Sequence, residues 1–199
     1  MSTDIPTDAV EHDYPVIRPE GADGEDVGAI HALTAEAFAT VDHASGTESA
    51  IIDALREADA LTVSLVAVHA GRIVGHVAAS PVTLDPPAEG WFGLGPLSVH
   101  PEFQRQGVGS ALVKAVVDAL VDQDATGAVL LGDPGLYERF GFAARDGLTM
   151  EGLDPDNAAF FQALRLDVID DADAAANGQA GDASYPRAVV TYHPGFDAS

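Results

Sequence analysis

Residues 95–120 decide the fold of this chain, and they read GPLSVHPEFQRQGVGSALVKAVVDAL. The apolar run at residues 94–99, which Pro101 closes, is typical of a short strand. Beyond Gly107 and Gly109, apolar residues recur at spacings of one, three and four, as on one helical face: Leu112, Val113, Val116, Val117 and Leu120. The stretch therefore predicts a strand, a glycine-bearing turn and a helix.

The predicted turn has the properties of an anion site. Backbone N–H groups in the first turn of a helix lack partners within the helix and carry the positive end of its dipole. Gly107 and Gly109 put no Cβ in the way of a ligand, and Arg105 adds a positive charge beside them. These features favour a phosphate or a pyrophosphate as the ligand.

Two common phosphate-binding motifs are absent from the sequence. The P-loop pattern G-x-x-x-x-G-K-[ST] does not occur. The dinucleotide pattern needs a third glycine or alanine where this chain has Leu112, and an acidic residue at the end of a second strand about 20 residues further on. The sequence thus disfavours a P-loop hydrolase and a dinucleotide-dependent dehydrogenase.

A second motif follows at residues 131–142, which read LGDPGLYERFGF. With the glycine turn, it resembles the GCN5-related N-acetyltransferase (GNAT) family, which carries a Q/R-x-x-G-x-G/A signature followed by Y-x-x-x-G-F. The matching residues are Gln104, Gly107 and Gly109 in the first motif, and Tyr137, Gly141 and Phe142 in the second. The Gly-Asp-Pro opening and Val74-Gly75-His76-Val77 are similar to one subgroup, the predicted acetyltransferases related to the bacterial YhbS proteins.

The pattern of elements is β-α-α-β-β-β-α-β-α-β with a C-terminal strand pair, residues 83–90 being a loop and residues 142–150 a strand. The resemblance implies an α/β (α+β) fold, in which about four helices flank a twisted, mixed, mostly antiparallel sheet of about seven strands. We expect residues 1–14 to be a disordered acidic tail, 15–166 the acetyltransferase domain, 167–184 a mobile acidic loop, and 185–199 a final strand and tail of that domain.

The resemblance implies direct transfer of an acetyl group from acetyl-coenzyme A (acetyl-CoA) to a primary amine in a ternary complex. The Val99 backbone N–H would stabilise the oxyanion, and the Tyr137 phenol, with an ordinary pKa of about 10, would protonate the leaving thiolate. The residues implied to bind the cofactor are Leu97, Ser98, Val99, Gln104, Arg105, Gln106, Gly107, Val108, Gly109, Ser110 and Tyr137.

The general base stays open at this point. His76, Glu89 and His100 are candidates, and solvent acting through a chain of water molecules is an equal alternative. His76 and Tyr137 also have purely structural interpretations, as a packed histidine and a core aromatic ring. No metal site is expected, because the histidines are scattered and the chain has no cysteine.

The charge balance is extreme, with 9 basic and 32 acidic residues and a net charge of −23. It disfavours a nucleic-acid partner. Because the acidic residues are spread along the chain, it favours adaptation to concentrated salt, as in a haloarchaeal cytoplasm, over an acidic surface for a basic partner. The sequence has no 18-residue apolar run and no secretory signal, so we expect a cytoplasmic monomer or homodimer without a membrane partner.

Three functional hypotheses follow. The first is an acyl-CoA-dependent N-acetyltransferase, the second a non-catalytic acyl-CoA-binding or sensing module on the same fold, and the third a salt-adapted scaffold without a ligand. The identity of the amine is not encoded in either motif. Its pocket would be shaped by residues 39–48, residues 83–90 and the region after residue 151.

Overall fold

The computed structural model of the protein describes residues 14–39, 46–167 and 185–198. The predicted acidic tail and the predicted acidic loop lie outside these residues, apart from Tyr14 and Asp167 at their ends. Within the described part of the chain, no helix is long and apolar enough to cross a membrane.

The central sheet has six strands in the order β1-β2-β3-β5-β6-β8. Four of the five neighbouring pairs are antiparallel, and only β5 and β6 run parallel. This arrangement confirms the predicted mixed, mostly antiparallel sheet. The strands are β1 (Val16–Pro19), β2 (Val63–His69), β3 (Arg72–Pro81), β5 (Trp91–Val99), β6 (Gly127–Leu131) and β8 (Phe161–Arg165).

A second, three-stranded sheet corrects the sequence-based prediction in three places. It consists of β4 (Thr83–Asp85), β9 (Ala188–Thr191) and β7 (Leu148–Met150), with β9 in the middle. Residues 83–90 are therefore not wholly a loop, and the strand expected over residues 142–150 covers only its last three residues. The C-terminal strands do not pair with each other, because β8 pairs with β6 and β9 with β4 and β7.

Four helices lie in the described residues, as expected. They are α1 (Val27–Phe38), α2 (Glu48–Glu57), α3 (Val108–Val121) and α4 (Pro134–Tyr137), and a 3-10 turn at Glu138–Phe140 extends α4. Gly141 ends this turn in the left-handed conformation, at φ 89°. The second motif therefore begins at the last residue of β6 and continues through α4 and this turn.

The central sheet is covered on both faces. The predicted apolar stripe of α3 is buried against β2, β3 and β5, except for Val117, which is only partly buried. Gly75 of β3 allows this close packing, since a Cβ there would lie 2.8 Å from Leu112 Cδ1. The other face packs on α1 and α2 through Ile30, Ile52 and Val66, and further along on the second sheet.

β5 and β6 are paired for only a short distance. Residues 91–93 of β5 pair with residues 127–129 of β6. Beyond them, Leu130 and Leu131 pair only with β8, while the rest of β5 stays on β3. We call the opening between residues 94–99 and residues 130–131 the fork; it brings a strand edge and the following glycine turn to one place.

The start of α1 is fixed by an ion pair with β1. Asp26 stands at the N-cap position of α1, but its carboxylate accepts hydrogen bonds from Arg18 Nη1 at 2.6 Å, Arg18 Nη2 at 3.0 Å and the Gly21 N–H at 2.8 Å. The Arg18 hydrogen bonds lower the pKa of Asp26 from 3.8 to about 2. The carboxylate therefore stabilises the fold above pH 4, and this contribution is lost as the pH falls towards 2.

We expect Asp26→Asn to lower the free energy of unfolding at pH 7 by about 1–2 kcal/mol, because charged hydrogen bonds to a half-exposed arginine are lost. The difference from wild type should shrink as the pH falls below 4, which urea unfolding between pH 7 and pH 3 would measure. Asp118→Asn is the control, since its ion pair with Lys114 is exposed and should contribute little. An equal loss at pH 7 and pH 3 would contradict the assignment.

Candidate functional site

A cavity of about 340 Å³ opens at the fork. The end of β5, the glycine turn and the α4 segment form its walls. It contains eight of the residues that the sequence predicts for the site, including Tyr137. The lining residues are Leu97, Val99, Gln104, Arg105, Gly107, Gly109, Ser110, Val113, Leu136, Tyr137, Arg139 and Phe140.

The glycine turn has the geometry of an anion site. Gly107 is the N-cap of α3 and adopts a left-handed backbone at φ 90°, which favours glycine. Arg105, two residues earlier, also has a positive φ of 59°. The N–H groups of the first turn of α3 have no partners within the helix, and Gly109 and Ser110 of that turn line the cavity. The cavity is thus open to the positive end of a helix dipole.

The end of β5 is held in a defined orientation. The His100 N–H donates to the Val74 carbonyl at 2.9 Å, and donors alternate in direction along an antiparallel strand, so the Val99 N–H points away from β3, towards the fork. The Gln104 side chain donates from Nε2 to the Val99 carbonyl at 3.0 Å and ties the turn to the strand. Gln104 therefore positions Val99, whose N–H faces the cavity side of β5.

The cavity is a positive region of a very acidic chain. Arg105 and Arg139 line it, and none of the described residues that line it is acidic. Among the described residues neither arginine forms an ion pair, whereas Arg18, Arg56 and Arg72 do. Arg139 instead donates from Nη2 to Ser110 Oγ at 2.8 Å, in the first turn of α3. Two positive charges are thus available for an anionic ligand.

Tyr137 forms the opposite wall of the cavity. Its ring packs against Phe142 at 6.1 Å between centroids and against the backbone after β6, where a Cβ on Gly132 would lie 2.5 Å from Tyr137 Cε2. Burial raises the pKa of the Tyr137 phenol above its ordinary value. The phenol therefore stays protonated at neutral pH and can donate a proton.

Three of the residues predicted to bind the cofactor direct their side chains elsewhere. Ser98 is buried on the other face of β5 and donates to Thr34 Oγ1 at 3.0 Å. Val108 packs into the core on α3, and Gln106 donates from Nε2 to the Glu102 carbonyl at 2.5 Å. These residues can contribute only backbone groups to a ligand in the cavity.

The candidate bases also lie away from the cavity. His76 is fully buried on the α1 side of the sheet, where Nε2 lies 2.9 Å from Ser64 Oγ, and burial lowers its pKa to about 4. His100 is nearly buried beside Glu36 and Arg72. Glu89 lies just before β5, and the extended strand between it and Val99 is about 30 Å long. None of these three side chains is among the residues that line the cavity.

Arg139 is a cavity residue that the sequence motifs missed. It lies within the second motif but fills none of its fixed positions. The available signal was charge, because Arg139 is one of only nine basic residues in the chain. A basic residue within one of the two family motifs of such an acidic sequence is a useful indicator of a site for an anion.

Comparison with known proteins gives consistent matches. Residues 28–142 match the model of the Acetyltransferase (GNAT) family. A curated relative, the uncharacterized N-acetyltransferase YhbS of Escherichia coli strain K12, is 35% identical over 154 residues, which are 77% of this chain and 85% of that protein.

Two solved structures are similar over most of the chain. One is a GNAT family acetyltransferase from Brucella melitensis in complex with acetyl-CoA, with 37% identity, a TM-score of 0.73, and coverage of 94% of this chain and 100% of that one. The other is YhbS from Escherichia coli in complex with CoA, with 34% identity, a TM-score of 0.73, and coverage of 92% of each chain.

Proposed function

Because the chain belongs to the acetyltransferase (GNAT) family, we propose that it transfers an acetyl group from acetyl-CoA to a primary amine. The observation that carries this proposal is the cavity at the fork. It joins a helix N-terminus and two arginines to a strand edge and a protonated phenol. The related structures that hold acetyl-CoA and CoA support the same ligand here.

The cavity suits the two chemically different parts of acetyl-CoA. The pyrophosphate is anionic and fits the first turn of α3, where Gly107 and Gly109 allow close approach and Arg105 and Arg139 supply charge. The pantetheine arm carries amide groups, and the edge of β5 at Leu97 and Val99 offers backbone partners for them. Bound in this way, the thioester reaches the fork beside Tyr137.

Direct transfer then needs three events. The neutral amine attacks the thioester carbon, forming the N–C bond, and the Val99 N–H stabilises the oxyanion. The C–S bond breaks, and the Tyr137 phenol gives its proton to the sulfur. The amine nitrogen releases one proton, which restores the phenol through solvent. The products are the N-acetylated amine and the free thiol of CoA.

We propose that solvent water removes the proton from the incoming ammonium group. His76, His100 and Glu89 do not line the cavity, so none of them is in place to act on an amine there. A water chain through the open mouth of the cavity needs no further side chain.

We also propose that the net charge of −23 is an adaptation to concentrated salt. Screening at molar ionic strength acts over about 3 Å and weakens the repulsion between acidic residues, which should stabilise the compact state. We expect the melting temperature to rise substantially between 0.1 M and 2 M KCl. A melting temperature that stays flat would contradict this proposal.

A thermal-shift titration with acetyl-CoA in 2 M KCl tests the ligand. The melting temperature of the wild type should rise by several degrees at saturating acetyl-CoA. Arg105→Gln and Arg139→Gln should each weaken acetyl-CoA binding about 3- to 30-fold, because each removes a charged contact to phosphate. Arg187→Gln is the control, since this arginine lies outside the cavity. If no acyl-CoA changed the melting temperature, the result would favour the third hypothesis, a scaffold without a ligand.

Tyr137→Phe distinguishes the enzyme from a non-catalytic acyl-CoA-binding module. We expect kcat to fall about 100-fold, with little change in acetyl-CoA affinity, because only the proton donor is lost. The assay measures CoA thiol release with a panel of primary amines. In the wild type, the rate of thiol release should decline with rising pH only above pH 10, because the raised pKa of Tyr137 keeps the phenol protonated below that pH. Unchanged turnover would make Tyr137 structural, and thiol release from no amine would favour the binding module.

A further inference from the structure

Tyr14 lies just before β1, outside both sequence motifs. Pro15, which follows it, is buried, and a residue before a proline is restricted to extended backbone conformations. β1 is paired from its first residue, since Val16 lies opposite Val68 of β2. The backbone that carries Tyr14 is thus held in place by its neighbours in the chain and in the sheet.

The start of β1 lies at the same edge of the central sheet as the end of β5. The antiparallel pairing of β1 with β2 brings the start of β1 beside the end of β2 at His69. In the next pair of strands, Gly75 near the start of β3 lies opposite Val99 at the end of β5. Ile17 of β1 packs against the core that α3 covers. The topology therefore brings Tyr14 to the glycine turn after β5, although the two are distant in sequence.

The hydroxyl of Tyr14 lies beside Gly107, the N-cap of α3. A Cβ on this glycine would lie 3.1 Å from Tyr14 Oη, and no ring atom of Tyr14 lies within 4 Å of that position. The polar tip of the side chain is therefore the part that Tyr14 presents to the turn. Tyr14 is 47% exposed, and its hydroxyl forms no hydrogen bond within the described part of the chain. The hydroxyl is thus accessible and available as a donor.

Acetyl-CoA extends beyond the cavity at the fork. A cavity of about 340 Å³ is at the small end of the range for drug-sized ligands, and acetyl-CoA is larger than those. In the proposed binding mode the pantetheine arm fills the cavity and the adenosine lies outside it, so the pyrophosphate that joins them lies at the mouth. Tyr14 does not line the cavity, but its hydroxyl lies on Gly107, which does. The hydroxyl is therefore outside the cavity, beside the position of the pyrophosphate.

We propose that the Tyr14 hydroxyl donates a hydrogen bond to a non-bridging oxygen of the acetyl-CoA pyrophosphate. This inference rests on the proposed function and adds a residue to the donor site. The N–H groups of the first turn of α3 and Arg105 approach the pyrophosphate from the cavity, and Tyr14 approaches it from the outer side of Gly107. The start of β1 and the start of α3 together hold the pyrophosphate.

A tyrosine suits this position in a chain with few basic residues. Its hydroxyl is an uncharged donor at neutral pH, and a hydrogen bond from it to a phosphate oxygen is strengthened by the charge of the phosphate. Molar salt weakens the attraction between exposed charges, whereas it has less effect on a neutral donor. Tyr14 thus complements Arg105 and Arg139, whose attraction for the pyrophosphate is reduced in concentrated salt.

The test is Tyr14→Phe, with acetyl-CoA binding measured by isothermal titration calorimetry in 2 M KCl. We expect the dissociation constant to rise about 3- to 10-fold, because one hydrogen bond to a charged group is lost. The acetyl thioester of dephospho-CoA lacks the 3′-phosphate but keeps the pyrophosphate, so its affinity should fall by the same factor. The melting temperature without ligand should stay equal to that of the wild type, because the hydroxyl has no partner in the described structure.

Tyr185→Phe is the matched control. The Tyr185 hydroxyl accepts a hydrogen bond from the Arg165 N–H at 3.1 Å and does not line the cavity, so the affinity for acetyl-CoA should stay unchanged. Equal affinities of the wild type and Tyr14→Phe for acetyl-CoA would overturn the inference alone. A loss with acetyl-CoA but not with the dephospho thioester would also overturn it, since the contact would then be to the 3′-phosphate. A wild type that binds neither thioester would overturn the proposed function, and this inference with it.

Discussion

β5 and β6 share only three residue pairs before they separate, and the site depends on this constraint. A sheet interior normally uses both sides of every strand for hydrogen bonding, which leaves no room for a ligand. Here β6 continues its pairing with β8 while β5 continues on β3, so that one edge of β5 is exposed within the sheet. The fork is therefore a defined gap between two well-paired halves, and α3 and α4 place the glycine turn and Tyr137 beside it.

The arginines of the cavity add to the anion binding that the backbone at the start of α3 provides. In a chain of net charge −23, an anionic ligand is repelled by most of the surface. The cavity overcomes this because the described residues of its lining include two arginines and the start of a helix but no acidic side chain. The long-range repulsion is weakened by salt, whereas contacts within the cavity are short and less screened. Concentrated salt would therefore reduce the penalty of the acidic surface more than it reduces binding within the cavity.

The local part of the fold and of the donor site could be predicted from the sequence. The strand, turn and helix of residues 95–120 and the short helix before Gly141 depend on spacing and on glycine, which are visible in a single sequence. The second sheet could not be predicted in the same way. β4 has only three residues, and its partner β9 lies more than 100 residues further along the chain. Neither element has a periodicity of its own, so only tertiary pairing defines them.

The same distinction separates the two sides of the fork. The donor side is assembled from two continuous motifs, and a ligand common to the family can be inferred from them. The opposite side is assembled from β5, β9 and the turn Pro194–Asp197, which packs on α2. These elements are distant in sequence and contribute one or two residues each. The sequence assigns Tyr192 no contact, and only the structure shows that its ring covers Gly93. The contacts on this face are thus a property of tertiary structure, which the pattern of a single sequence does not predict.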